Sequence, residues 1–150
     1  MSEICTGNRM TINQFSIPVR VYIEDTDAGG IVYYVNYLKF MERSRTEFFR
    51  TLGYHKPALL DDDLIMVVAS AQVDYRRSAR LDDELQVTTF ILKLARTYVE
   101  FKQQVYRGQE LLCDGFVRVA CVKGSTMKPS AFPASMHQQL TQFIELHSQG

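Results

Sequence analysis

The chain has 150 residues, 46% of them hydrophobic, and its 17 basic and 17 acidic side chains cancel to a formal net charge of zero. That length supports one hydrophobic core rather than two, and the balanced charge provides no overall field to draw nucleic acid, an acidic polymer or an anionic membrane surface. No segment approaches the roughly 20 apolar residues needed to span a bilayer, and the opening MSEICTGNRMTINQ lacks the basic and apolar regions of a signal peptide. A polar tail over 1–14, a single domain over 15–150 and a cytoplasmic location are therefore expected.

In chain order, Ile17, Val19 and Val21 alternate with Pro18, Arg20 and Tyr22, the period of a half-buried strand ending near Tyr22. The segment EDTDAGG then combines acids with paired glycines and reads as a loop. Over about 36–52 the apolar residues Tyr37, Leu38, Met41, Phe48, Phe49 and Leu52 recur at helical spacing, and Gly53 marks the stop. A loop with Pro57 and the acidic run Asp61, Asp62 and Asp63 follows. Residues rich in β-branched and aromatic side chains then predict four strands over about 64–75, 84–94, 98–107 and 111–122, with ARLDD and RGQE as turns. A short terminal helix is predicted over about 134–147, where Met136, Leu140, Phe143, Ile144 and Leu146 share a helical period.

Strand, long helix, four strands and terminal helix define an α+β fold. One antiparallel sheet of about five strands, curled around the long central helix, accounts for the order. Such a sheet keeps open edges and a partly uncovered face, so a homodimer or larger homo-oligomer is expected.

Cys5, Cys113 and Cys121 form no CxxC pair and stand at no metal-ligand spacing to a histidine, so they read as reduced thiols, the last two as small apolar strand residues. His55, His137 and His147 are scattered, and neither a metal nor a cofactor is expected.

The stretch that carries chemistry is VYIEDTDAGGIVYYVNYLKFMERSR, in which a carboxylate pair precedes two glycines that lead into the central helix. Glycine permits close backbone approach, and a helix N-terminus offers unpaired N–H groups with about half a unit of positive charge, a site for a developing oxyanion. A carbonyl polarised there would face Asp27 as nucleophile or as general base toward water. Asp25 reads as a partner that structures the loop. DTDAGGI also opens like a calcium-binding EF-hand loop, but the match fails, with Gly29 at its fifth position and Asn36 at its twelfth.

The run EDTDAGGIVYYVNYLKFMERSR resembles the active-site segment of hotdog-fold thioesterases related to 4-hydroxybenzoyl-CoA thioesterase and to the acyl-CoA thioesterase associated with the Tol-Pal system. DYRRSARLDDEL and MKPSAFP extend the resemblance more weakly over nearly the whole chain after the tail. It implies the hotdog fold, dimers or tetramers with active sites at subunit interfaces, and hydrolysis of an acyl-CoA, with acyl carrier protein as an alternative thioester donor. By position, Asp27 matches the catalytic aspartate, Gly30 the loop glycine and Tyr34 the residue whose backbone N–H polarises the thioester carbonyl. The Tol-Pal-associated members usually carry His where this chain has Tyr34, a departure that leaves a main-chain role untouched. Polar and basic contacts to CoA in the family point to Arg96 and Thr97, ahead of Arg76, Arg77 and Arg80.

Other readings fit some of the same residues. Glu42 and Glu47 on the central helix stand in for the Glu of another thioesterase branch of the fold, and Tyr37, Met41 and Phe48 serve as core or as acyl-pocket lining. A non-catalytic acyl-CoA or acyl carrier protein binding module is the alternative function. A hydratase or dehydratase would call for a histidine that neither the loop nor the central helix supplies.

Overall fold

The structure, a computed structural model, describes residues 9–11, 14–55, 60 and 63–148. Cys5, Pro57, Asp61 and Asp62, much of the expected tail and the side chains of Leu146 and His147 lie outside the described set. The elements are β1 (Arg9–Thr11), β2 (Gln14–Arg20), α1 (Val35–Thr51), β3 (Leu64–Tyr75), β4 (Glu84–Leu94), β5 (Tyr98–Arg107), β6 (Glu110–Lys123) and α2 (Ala134–Ser148). They form one antiparallel sheet in the order β1-β2-β4-β5-β6-β3.

The predicted strands and helices are found with small shifts. The main difference lies at the N-terminal end, where Arg9–Thr11 pairs with β2 as a sixth, three-residue strand and so leaves the expected tail. Its Arg-Met-Thr sequence has no apolar alternation to reveal it, because backbone pairing with β2 holds it in place.

The register sorts the side chains by face. Val87 opposite Val105, Phe101 opposite Val117, and Val99 opposite Val119 all face inward and are buried. Helix α1 lays Tyr37, Phe40, Met41, Ser44 and Phe48 onto that face, at the three- and four-residue spacing that makes one stripe. It packs mainly against β4, β2 and β5. Phe48 is the hub, meeting the rings of Phe15, Phe101 and Phe143 edge-on at centroid distances of 5.9, 6.1 and 5.1 Å. Phe143 brings α2 onto the same cluster. Gly53, at φ +100°, ends α1 in the left-handed conformation that suits glycine there.

A polar chain runs through this core and fixes how α1 sits. Gln103 on β5, 0% exposed, donates to the Met41 carbonyl at 2.8 Å and to Thr89 Oγ1 at 3.0 Å, and accepts from Arg45 Nη1 at 2.8 Å. Ser44 Oγ donates to the Val87 carbonyl at 3.0 Å and lies 2.7 Å from Thr89 Oγ1. Since the Ser44 hydrogen is used on Val87, Thr89 is the donor between the two hydroxyls. Burial pulls the Arg45 guanidinium down to about 10, with Glu42 acting in the opposite direction. The Gln103 carbonyl is therefore the acceptor that keeps a half-buried cation partnered.

Replacing Gln103 by Leu keeps the volume but takes the acceptor from Arg45 and the donor from Thr89 and the Met41 carbonyl. Urea denaturation should show a loss of about 2 kcal/mol or more, larger than that from Gln104→Leu on the opposite sheet face.

Candidate active site

The stretch between β2 and α1 is shaped by backbone bonds at short range. Ile23–Asp25 makes a single 3-10 turn. Thr26 and Val32 then form an antiparallel bridge, the Asp27 N–H donates to the Ile31 carbonyl at 3.0 Å, and the Gly30 N–H donates to the Asp27 carbonyl at 3.0 Å. Closing so tight a loop puts Gly30 at φ +79°, where a side chain would be strained. The returning arm docks on the β3–β4 connection, with the Val32 N–H on the Ala79 carbonyl at 2.9 Å and Ile31 bridged to Arg80.

Within this loop Asp27 is exposed, and its Oδ1 accepts the Gly29 N–H at 2.9 Å. That bond orients the carboxylate, while Oδ2 has no hydrogen-bond partner among the described residues. At the start of α1 the Tyr33 N–H is taken by the Asp25 carbonyl and the Asn36 N–H by the Tyr33 carbonyl. Between them, the N–H groups of Tyr34 and Val35 have no acceptor among the described residues. They are the free donors that a helix N-terminus leaves.

Asp27 and Tyr34 line one pocket of ≈ 320 Å³ together with Tyr33, Tyr37, Tyr75 and the 76–78 segment. Tyr75 packs edge-on to Tyr34 at 5.9 Å and tilts over Tyr37 at 5.6 Å. Tyr37 is buried, and its hydroxyl oxygen accepts the Ala79 N–H at 2.8 Å, which ties α1 to the segment forming the opposite wall. Burial holds the Tyr37 phenol above its ordinary range, so it stays protonated at neutral pH.

The structure thus brings Asp27 and Tyr34 to one pocket, with Gly30 at the turn of the loop between them and outside the lining. It does not bring Arg96 and Thr97 to them within one protomer. Glu84 begins β4 beside the loop, where Val21 and Asp83 are hydrogen-bonded, and Arg96 lies beyond the far end of that 11-residue strand, a distance of roughly 35 Å along it. Arg96 instead shares a second pocket with Phe132, His137 and Thr141. The basic residues that do line the Asp27 pocket are Arg76 and Arg77, ranked behind Arg96 by sequence. Arg77 is held by Glu110 at 3.1 Å and Arg76 by Asp74 at 3.1 Å.

Of the rival carboxylates, Glu47 pairs with Arg50 at 3.3 Å and lines a groove on the β2 side with Arg20 and Arg43, while Glu42 is exposed and outside the Asp27 pocket. Tyr37 proves to be both core and pocket lining, whereas Met41 and Phe48 are fully buried core. The hydroxyl role of Tyr37 and the presence of Tyr75 were missed by sequence reading, although DYRRSAR carried the signal for the latter. Among the described residues no group of three His, Cys, Asp or Glu side chains stands together as a metal site.

A family model of the thioesterase-like superfamily matches residues 21–140. The acyl-CoA thioesterase YbgC of Haemophilus influenzae is 46% identical over 125 residues, covering 83% of this chain and 92% of that protein. The acyl-CoA thioester hydrolase YbgC of Escherichia coli O157:H7 is 40% identical over 134 residues, covering 89% and 100%. Among solved structures, a probable thioesterase from Bartonella henselae is 32% identical with a TM-score of 0.69 and covers 79% of this chain and 96% of its own. DHNA-CoA thioesterase from Staphylococcus aureus, 22% identical with a TM-score of 0.81 over 90% and 93% of the two chains, shares the hotdog fold. The chain belongs to the thioesterase-like superfamily, as the loop motif implied.

The thiols are no rival to Asp27. Burial, with Asp114 and Asp74 adding to it, pushes the Cys113 thiol up to about 12, and burial also raises Cys121. In a Cys5→Ser variant, a thiol-detecting reagent at about pH 8 should find almost no reactive thiol in the native protein and both Cys113 and Cys121 after unfolding. Rapid labelling of the folded protein would contradict this burial.

Proposed function

We propose that this protein is an acyl-CoA thioesterase that cleaves the thioester to a free acid and CoA at the Asp27 pocket. One observation carries the reading: Asp27, whose solvent-facing carboxylate is oriented by Gly29, and Tyr34, whose N–H at the helix N-terminus has no acceptor among the described residues, line the same pocket. The close YbgC relatives, described as acyl-CoA thioesterases, support it. The Tyr34 N–H polarises the carbonyl and holds the oxyanion as it forms. Asp27 either attacks the carbonyl carbon, giving a mixed anhydride that water then opens, or takes a proton from the water that attacks. In both routes the sulfur leaves as CoA thiolate. Acyl carrier protein is the alternative carrier of the thioester, and a module that binds acyl-CoA without cleaving it is the alternative function. The cytoplasm, a reducing compartment, suits the free thiols Cys113 and Cys121; no helix of the described residues is long and apolar enough to cross a membrane.

The reading includes a homodimer or homotetramer. Strand β3 is an open edge of the sheet, and Val68, on the helix side opposite Val119, is 52% exposed. A second copy pairing antiparallel along β3 would cover this strip. Antiparallel pairing reverses direction, so it would carry the partner's Arg96 toward the end of the sheet where Asp27 lies. Val68→Asp should therefore shift the protein toward monomer in size-exclusion chromatography and lower turnover with it. A fully active monomer would rule out a shared site.

The chemistry is tested by two substitutions on one responsive acyl-CoA. Asp27→Asn should lower CoA release by about 10²-fold or more with folding intact, while Tyr34→Phe, which keeps the main-chain donor, should stay within about tenfold. Near-normal release by Asp27→Asn would return the search to Glu42 and Glu47. Binding without cleavage across acyl-CoA and acyl carrier protein substrates would favour the binding module.

A further inference from the structure

Asp25 is 5% exposed and Asn36 8% exposed, and neither lines the Asp27 pocket. Asn36 Nδ2 donates to Asp25 Oδ1 at 2.8 Å, and the Tyr22 N–H donates to Asp25 Oδ2 at 2.9 Å. The Asp25 carbonyl accepts the Tyr33 N–H at 3.0 Å. One residue thus holds the chain leaving the sheet at Tyr22, the returning arm at Tyr33 and the first turn of α1 at Asn36.

We propose that Asp25 and Asn36 form a buried clamp that fixes Asp27 relative to the N-terminus of α1, which makes both of them positioning residues for the reaction. Asp27 stands two residues beyond Asp25, and Tyr34 stands between the two points, Tyr33 and Asn36, at which Asp25 grips the far side of the loop. The carboxylate and the N–H donor that must meet one carbonyl are therefore hung from the same residue, through its carboxylate and its main-chain carbonyl. Misplacement of reacting groups by about 1 Å can cost about 10²-fold in rate, so a loop that stayed folded but loosened here would bind substrate and turn it over poorly.

The composition of the clamp argues against an ordinary turn former. Burying a carboxylate is costly unless both oxygens are satisfied, and here each oxygen is engaged by a different part of the loop. The charged groups lining the same groove are Arg20, Glu24, Arg43 and Glu47. Among the described residues none of them bonds to the Asp25 carboxylate: Arg20 goes to Glu84 and the Asp82 carbonyl, Glu47 to Arg50, and Arg43 stacks on Phe40. The carboxylate is held by the amide and backbone donors of the clamp rather than by an ion pair.

The inference rests on the catalytic reading of Asp27, so the test carries Asp27→Asn as a reference. Asn36→Ala should lower kcat by about tenfold or more with KM within about twofold, because the loss is of alignment rather than of binding. N36D sets two carboxylates face to face. The exchange removes the amide donor from Asp25 Oδ1 and sets one acid against another, so turnover should fall at least as far as in Asn36→Ala. The double exchange D25N/N36D restores every bond, since the amide at position 25 can donate to the carboxylate at position 36 and still accept from Tyr22. It should return turnover to within about threefold of the parent. Parent-like turnover in both Asn36 variants overturns the clamp, as does a double exchange no better than N36D, or losses that merely track the thermal midpoint. If these occur while Asp27→Asn is inactive, only the clamp fails; an active Asp27→Asn takes down the catalytic reading and the clamp with it.

Discussion

An α-helix with its side chains is about 10–12 Å across and neighbouring strands lie about 4.8 Å apart, so α1 can cover only two or three of the six strands. It covers β2, β4 and β5, where the large aromatic residues are. The helix side of β3 is left short of cover, and Val68 and Tyr75 are exposed there. The candidate site occupies the corner where that uncovered strip meets the N-terminus of α1. Both the pocket and the open edge therefore follow from one shortfall of apolar cover.

What keeps the corner in shape is polar. Core aromatics resist displacement but tolerate small rotations, whereas the chain from Gln103 through Thr89 and Ser44 to Val87 has one satisfying arrangement. It fixes the rotation and height of α1 on the sheet. The N-terminus of that helix carries Tyr34, the Tyr37 hydroxyl bonds the Ala79 segment, and Asn36 bonds Asp25. The buried side of the helix thus sets the position of its exposed end, and through it the geometry of the loop.

The elements most legible in the sequence were those with strong periodicity: α1, β3 to β6 and α2 were placed within a few residues, since their faces alternate in the side chains themselves. Strand β1 was not legible, because a three-residue strand has too little pattern to show. At the site, Asp27, Gly30 and Tyr34 stood out since acid, glycine and helix start are adjacent in sequence. The Asp25–Asn36 bond spans 11 residues and the Tyr37–Ala79 bond spans 42; only the fold brings these partners together. Arg96 and Thr97 were favoured over Arg76 and Arg77 on family resemblance. No local pattern reveals that β4 holds the first pair a full strand length from Asp27.

That separation is informative about assembly. Each protomer carries one basic set, Arg76 and Arg77, beside Asp27 and another, Arg96, at the opposite end of the sheet. A ligand with an acyl thioester at one end and phosphates some way from it needs positive charge both near the carbonyl and farther out. In the dimer proposed above, reversing a second copy along β3 would place the Arg96 end of each chain at the Asp27 end of the other, so that two-fold symmetry would make two sites from one set of residues. In that dimer the edge left open by α1 would be the element through which each half-site is completed.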